Sequence, residues 1–194
     1  MYIMSADTKD RLIESTRELM WDRGYAAMSP SAILDASGAG QGSMYHHFSG
    51  KEQLALAAIE RNAEQMRAQV SADLAGPGTA VERIGRYLHR ERDVLKGCRF
   101  GKLAQDPDVD ASDALHGPVD EMFAWLRREL ATVVREGQEA GELPPRLDAA
   151  RIAATIAATL QGGYVLARAA RDVTAFRDAV DGLLELLATI SGGA

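Results

Sequence analysis

Between residues 29 and 48 the chain is punctuated so tightly that only one kind of local structure fits. Ser29-Pro30 is a helix start, because serine suits the N-cap and proline the first helical position. Gly38-Ala39-Gly40 stops that helix near Ser37, and a second short helix, Gln41 to His47, follows at once. Two short helices joined by a glycine-containing turn are the helix-turn-helix pattern, which serves DNA binding but is also a common packing device. Helices this short need a partner to pack on. The preceding stretch supplies one: Leu12, Ile13, Thr16, Leu19 and Met20 recur at helical spacing, and Gly24 ends a first helix spanning about 7–23.

The same grammar continues to the end of the chain. Ser49-Gly50-Lys51-Glu52 has the spacing of a capping box and opens a helix to about Leu74. Gly76-Pro77-Gly78 breaks the chain, and Thr79-Ala80-Val81-Glu82 forms a second capping box with Val81, Ile84, Leu88 and Leu95 inward. A short helix fits residues 97–105, while Asp106-Pro107-Asp108 reads as a loop. A long helix carries Val119, Met122, Phe123, Leu126, Leu130, Val133 and Val134 to about Gly141. Pro144-Pro145 separates it from a helix capped by Asp148, and a last helix carries Val173, Phe176, Val180, Leu183, Leu187 and Ile190. No strand pattern or internal repeat emerges. The expected fold is all-α with about nine helices: an N-terminal three-helix head over residues 1–53 and a C-terminal helical domain over 54–194.

The head exposes side chains suited to DNA. Ile33, Ala36, Ala39, Met44 and Phe48 can close a small core behind the turn, leaving Gln41, Ser43, Tyr45, His46 and His47 on the other face of the third helix. Glutamine can pair with an adenine edge in the major groove, and serine with several bases. Tyrosine hydroxyl and histidine nitrogens can meet phosphate oxygens. Gly42 lets the backbone approach the groove closely. Lys51, in the first turn of the next helix, and Ser31, at the start of the second, can face phosphates beside helix N-termini. Charge adds nothing to this reading. Net charge is −6, and residues 1–60 hold five Lys/Arg against eight Asp/Glu, leaving 22 − 5 = 17 against 28 − 8 = 20 elsewhere. Binding by bulk positive charge is thereby excluded, and a few well-placed contacts have to suffice.

Residues 8–59 resemble the DNA-binding domain of the TetR (tetracycline repressor) family throughout. The stretch from Gly38 to Phe48, Gly-Ala-Gly-Gln-Gly-Ser-Met-Tyr-His-His-Phe, is similar to that family's recognition-helix signature. Ser49-Gly50-Lys51-Glu52-Gln53-Leu54 is similar to the opening of its fourth helix, and Arg23-Gly24-Tyr25 with Met28-Ser29 to the junction of its first two. The resemblance implies base-reading positions at Gln41 and Ser43 and phosphate-contacting ones at Tyr45, His46 and Lys51. Three positions depart from the common pattern: Gln41 replaces a lysine, Ser31 an arginine and His47 an aromatic residue. These departures bear on operator sequence and affinity. Gly97-Cys98-Arg99-Phe100-Gly101-Lys102-Leu103 is similar to an element of some members and, with Tyr-His-His-Phe, points to the subgroup containing drug-efflux regulators.

The resemblance further implies a ligand-released repressor that binds double-stranded, palindromic operator DNA as a homodimer. It also implies that the last two helices pair across a two-fold axis. Ala153, Ala154, Ala157, Ala158, Gly162 and Gly163 permit close helix approach there. An apolar pocket with a few polar anchors is expected for a small-molecule effector. Its candidate lining is Tyr87, Cys98, Phe100, Leu103, Met122, Phe123, Trp125, Leu126, Gln161 and Tyr164. The alternative is a helical small-molecule-binding module without sequence-specific DNA binding.

No catalytic grouping is found: there is no Ser-His-Asp arrangement, no phosphate loop and no metal-spaced histidine cluster, so an enzyme is not expected. His89, His116 and Cys98 match no common zinc spacing, and neither metal nor cofactor is expected. Cys98 is the single cysteine, so no intrachain disulfide forms, and without a resolving partner a structural thiol is the simpler role. The stretch between Arg151 and Arg168 is too rich in Ala, Gly and Thr for a membrane span, and no signal-peptide pattern opens the chain. A cytoplasmic location is expected.

Overall fold

The computed structural model describes residues 3–191, with side chains from Thr8 onward; the outermost ends of the two expected domains lie outside the described residues. Within that range every regular element is a helix. The order is α1 (Ile3–Arg23), α2 (Pro30–Ser37), α3 (Gln41–His47), α4 (Lys51–Ala75), α5 (Ala80–His89), α6 (Arg99–Leu103), α7 (Pro107–Asp110), α8 (Asp113–Glu139), α9 (Ala149–Ala170) and α10 (Thr174–Ser191). The helix beyond the expected nine is α7, at the segment read as a loop. Asp106 is its N-cap, accepting the Asp108 N–H at 3.1 Å. A single helical turn carries no apolar periodicity, so its sequence looks like a turn.

The chain divides into two compact units. The first comprises residues 1–65 and 99–122, the second 66–98 and 123–194. In the first unit, α2, α3 and α6 all pack on α1. Leu12, Ile33, Met44, Leu54, Ala55, Ala58 and Ile59 are fully buried there. Ala36, expected in this core, is exposed, because α2 turns that face to solvent.

An ion-pair network absent from the hydrophobic pattern runs through the first unit. Arg17 lies on the same stripe of α1 as Ile13 and Met20 and is 5% exposed. Its Nε donates to Asn62 Oδ1 at 2.7 Å, its Nη1 to the Glu14 carboxylate at 2.6 Å, and its Nη2 to Gln65 Oε1. From α6, Arg99 places its guanidinium 3.9 Å over the Trp21 ring and donates to the Arg17 carbonyl at 3.1 Å, while Lys102 donates to the Trp21 carbonyl at 2.5 Å. Two cations thus sit over the C-terminal half of α1, where carbonyls and the helix dipole favour positive charge.

In the second unit, α5, α9 and α10 enclose a core with the C-terminal part of α8. Thr79 makes the expected capping box, accepting the Glu82 N–H at 3.2 Å while Glu82 accepts the Thr79 N–H at 2.8 Å. Asp148 caps α9 through the Ala150 and Arg151 N–H groups. α9 and α10 pack most closely of all. Gly163 makes this possible, because a Cβ there would lie 3.0 Å from the Phe176 ring. Leu95, expected inward, is 45% exposed: α5 ends at His89, so Leu95 falls beyond the helix whose register would have turned it inward. The Ser49 box also shifts by one position. α4 begins at Lys51, and Gln53, not Glu52, reaches back to the Ser49 N–H at 2.6 Å.

Candidate nucleic-acid interface

Local signals set the ends of α2 and α3. Ser29 Oγ accepts the Ala32 N–H at 3.2 Å and leaves Ser31 exposed in the first turn, 3.0 Å from the Ser29 hydroxyl. Gly38 takes φ 63°, the left-handed conformation that ends α2 at little steric cost to glycine. Ser37 Oγ accepts the Ala39 N–H at 3.2 Å and ties the turn to the helix it follows. Gly40 then serves as the N-cap of α3.

One side chain fixes which face of α3 looks outward. Met44 is fully buried, with Phe48 behind it at 4% exposure. Gln41, Gly42, Ser43, Tyr45 and His46 are therefore all exposed, Tyr45 by 52%. His47 is turned further inward: half-buried, it meets the Phe48 ring edge-on at 6.4 Å and borders a cleft of about 410 Å³ shared with Lys9 and Arg61. Lys51 is half-buried in the first turn of α4, its Nζ 4.0 Å from the centre of the Tyr25 ring. That ring lies in an acidic setting. Burial first, and then Glu52, Asp108 and Asp106, push the Tyr25 hydroxyl above its ordinary range. The Lys51 ammonium thus rests against an aromatic face beside acidic groups.

Behind α2, Gly24 and Asp106 make a second support. Gly24 has φ 82°, and a Cβ on it would stand 2.9 Å from Asp106 Oδ2. The same oxygen accepts the Ala26 N–H at 3.1 Å. Asp106 and Arg17 both escape a reading by hydrophobic pattern, which assigns charged residues to the solvent face. For Arg17 a signal existed, namely its place on the Ile13–Met20 stripe.

The expected pocket residues divide between the units. Phe100, Leu103 and Met122 are buried in the first. Tyr87, Cys98, Phe123, Trp125, Leu126, Gln161 and Tyr164 fall in the second, with Tyr87 and Leu126 buried and the others half-buried. Of these, Tyr87, Cys98 and Tyr164 come together around Arg92. Burial pushes both tyrosine hydroxyls up, Tyr164 to about 12, and Arg92 works in the opposite direction on each. Two solvent-open clefts of the second unit are lined by other residues: one of about 720 Å³ along Arg127, Ala131 and Arg135, and one of about 320 Å³ at the ends of α5 and α10. No group of three or more His, Cys, Asp or Glu able to hold a metal occurs among the described residues. No described helix is long and apolar enough to cross a membrane.

A short helix anchored on one side by Met44 and presenting Gln, Ser, Tyr and His on the other defines a helix-turn-helix DNA-binding head. Comparison with known proteins agrees. Residues 12–58 match the family model described as bacterial regulatory proteins, tetR family, and residues 79–183 the one described as tetracyclin repressor-like, C-terminal domain. A TetR transcriptional regulator from Chloroflexus aurantiacus J-10-FL superposes with a TM-score of 0.85 at 30% identity, covering 95% of this chain and 96% of that one. The HTH-type transcriptional repressor ComR of Escherichia coli K12 is 25% identical over 82% of this chain and 79% of its own. The HTH-type transcriptional regulator LmrA of Bacillus subtilis 168 is 26% identical over 87% and 90%. The chain belongs to the TetR family and is a DNA-binding transcriptional regulator, a non-enzymatic class of protein.

Proposed function

We propose that the protein is a cytoplasmic homodimeric repressor that reads a palindromic operator with α3 and leaves it when a small molecule binds the C-terminal domain. The division of labour follows residues 1–53 for DNA and 54–194 for effector and dimer. The observation that carries the reading is the exposed face of α3, where Gln41, Ser43, Tyr45 and His46 stand clear of a helix pinned from behind by Met44. Gln41 and Ser43 are the base-reading groups. Ser31, Tyr45, His46, His47 and Lys51 serve the phosphates, and Gly42 allows close approach. Lys51 reaches a phosphate by leaving the Tyr25 ring.

Dimer formation has its own support. While α9 buries Ala153, Ala157, Gly163 and Ala167 within its unit, it leaves Val165 58% and Leu166 54% exposed, beside the open position of Gly162. On α10, Leu186 is 64% exposed. Large apolar side chains next to small ones on neighbouring helices suit close packing against a second copy, and two-fold symmetry gives the paired heads an operator requires.

Fluorescence anisotropy on the DNA upstream of the protein's own gene, with random DNA as competitor, tests the reading. Selective binding that weakens steeply with salt is expected. Tyr45→Ala should weaken binding to every sequence, whereas Gln41→Ala should relax discrimination at one base pair by about 1–3 kcal/mol. Unchanged specificity in Gln41→Ala would remove that residue from base reading. Failure to bind selectively across a genome-wide library would favour a helical ligand-binding module.

A further inference from the structure

We infer that the second unit carries a binding site for a small organic carboxylate, built around Arg92 in the cleft at the ends of α5 and α10. The guanidinium of Arg92 is set into the protein with Nε and Nη1 both buried and without hydrogen-bond partners. Its Nη2 donates to the Tyr87 carbonyl near the end of α5. Its flanks are aromatic, with the Tyr87 ring 5.6 Å away and the Phe176 ring 5.8 Å away. Among the described residues no carboxylate pairs with it. Its neighbours differ: Arg90 is bridged to Asp73 at 3.1 Å, and His89 lies 3.5 Å from Asp181.

A buried guanidinium without an anion is an expensive arrangement, because the charge is desolvated and its donors go unused. An anion in the adjoining cleft supplies the missing opposite charge, and a turn of the side chain toward the cleft brings Nε or Nη1, neither of which is exposed in the resting arrangement, into charge-assisted hydrogen bonds with it. The surroundings specify what sort of anion. Arg92 borders a cleft of about 320 Å³, large enough for a small organic molecule, whose wall combines Arg90 and Arg177 with Val94, Val173 and Phe176. Glu91 is the lone acid on that wall, and it is exposed. A lining that holds both cations and apolar side chains matches a carboxylate on a short aliphatic or aromatic body. Inorganic phosphate satisfies only the first half. The link from this site to DNA release rests on the proposed function above; the binding event does not.

Calorimetry and thermal unfolding on the full chain test the site with benzoate and hexanoate, their neutral amides benzamide and hexanamide, and inorganic phosphate. The carboxylates should bind and raise Tm, as any ligand selective for the folded state does. The amides should do neither. Arg92→Met should abolish carboxylate binding, and Arg177→Met, an exposed position that folding tolerates, should weaken it about ten-fold. The ligand-induced shift is the deciding quantity, since loss of the Tyr87 contact lowers the baseline Tm of Arg92→Met by itself. If that variant does not fold, Arg177→Met decides. The inference is overturned if neither carboxylate binds, if the amides bind equally, if phosphate alone binds, or if the arginine variants bind carboxylate like the parent. Operator affinity measured in the same samples separates the two readings. Carboxylate binding that leaves DNA affinity unchanged supports the site and counts against it as the releasing effector. Selective DNA binding with no carboxylate binding leaves the regulator standing and removes the site.

Discussion

Met44→Ala should destabilise the DNA-reading head by about 2–5 kcal/mol, the range for truncating a fully buried methionine. The effect is large because α3 has seven residues and cannot persist as a helix without tertiary support. Met44, at 0% exposure, is the one buried side chain within it. Operator binding should fall with stability, although Met44 points away from the exposed face of α3. Met44→Leu conserves volume and should cost less than about 1.5 kcal/mol. Hydrogen exchange of the α2 and α3 amides, with operator anisotropy on the same variants, checks both. An alanine variant with parent-like protection in α3 would assign the anchoring to Phe48 instead.

Arg17→Ala should cost about 1–3 kcal/mol, the penalty for leaving a buried polar partner unsatisfied. Most of that loss comes from stranding Asn62, itself 5% exposed, whose Oδ1 loses its donor. Glu14 is half-exposed, and its share is small because water screens the pair. The double substitution Arg17→Met with Asn62→Leu should recover most of the stability, since an apolar pair of similar volume leaves nothing buried and unpaired. Urea denaturation of the two single variants and the double variant closes the cycle. A double variant as unstable as the sum of its parts would show that the two side chains act independently.

The contrast between these sites also explains what could be read from sequence. The head was legible because its signals are local: Ser29-Pro30 sets one start, Gly38 one stop, and Met44 with Phe48 the buried side, so the exposed set on α3 follows, except for His47, which is half-buried. Thr79 with Glu82 and Asp148 worked for the same reason, since a cap acts within one turn. Failures occurred where the deciding partner is distant in sequence. Asp106 becomes a helix cap and a support for the Gly24 turn through an N–H eighty positions away, which no window reveals. Arg92 follows α5 in an irregular segment, and only folding shows that it lies half-buried beside Tyr87 and Phe176. The candidate pocket residues were chosen by residue type, and the chain deals them to two units.

The support of α1 by α6, and of the Gly24 turn by Asp106, has a consequence for how the protein is made. A ribosome delivers α1 to α3 first, with the segment carrying Arg99, Lys102 and Asp106 still to be translated. During that interval the Trp21 ring lacks the Arg99 guanidinium that covers it, and the Ala26 amide lacks its acceptor. The helix-turn-helix is thus encoded early, and the contacts that support it come late. A nascent chain or a truncated fragment that ends after α3 lacks the side chains of Arg99, Lys102 and Asp106 that contact α1 and the turn after it.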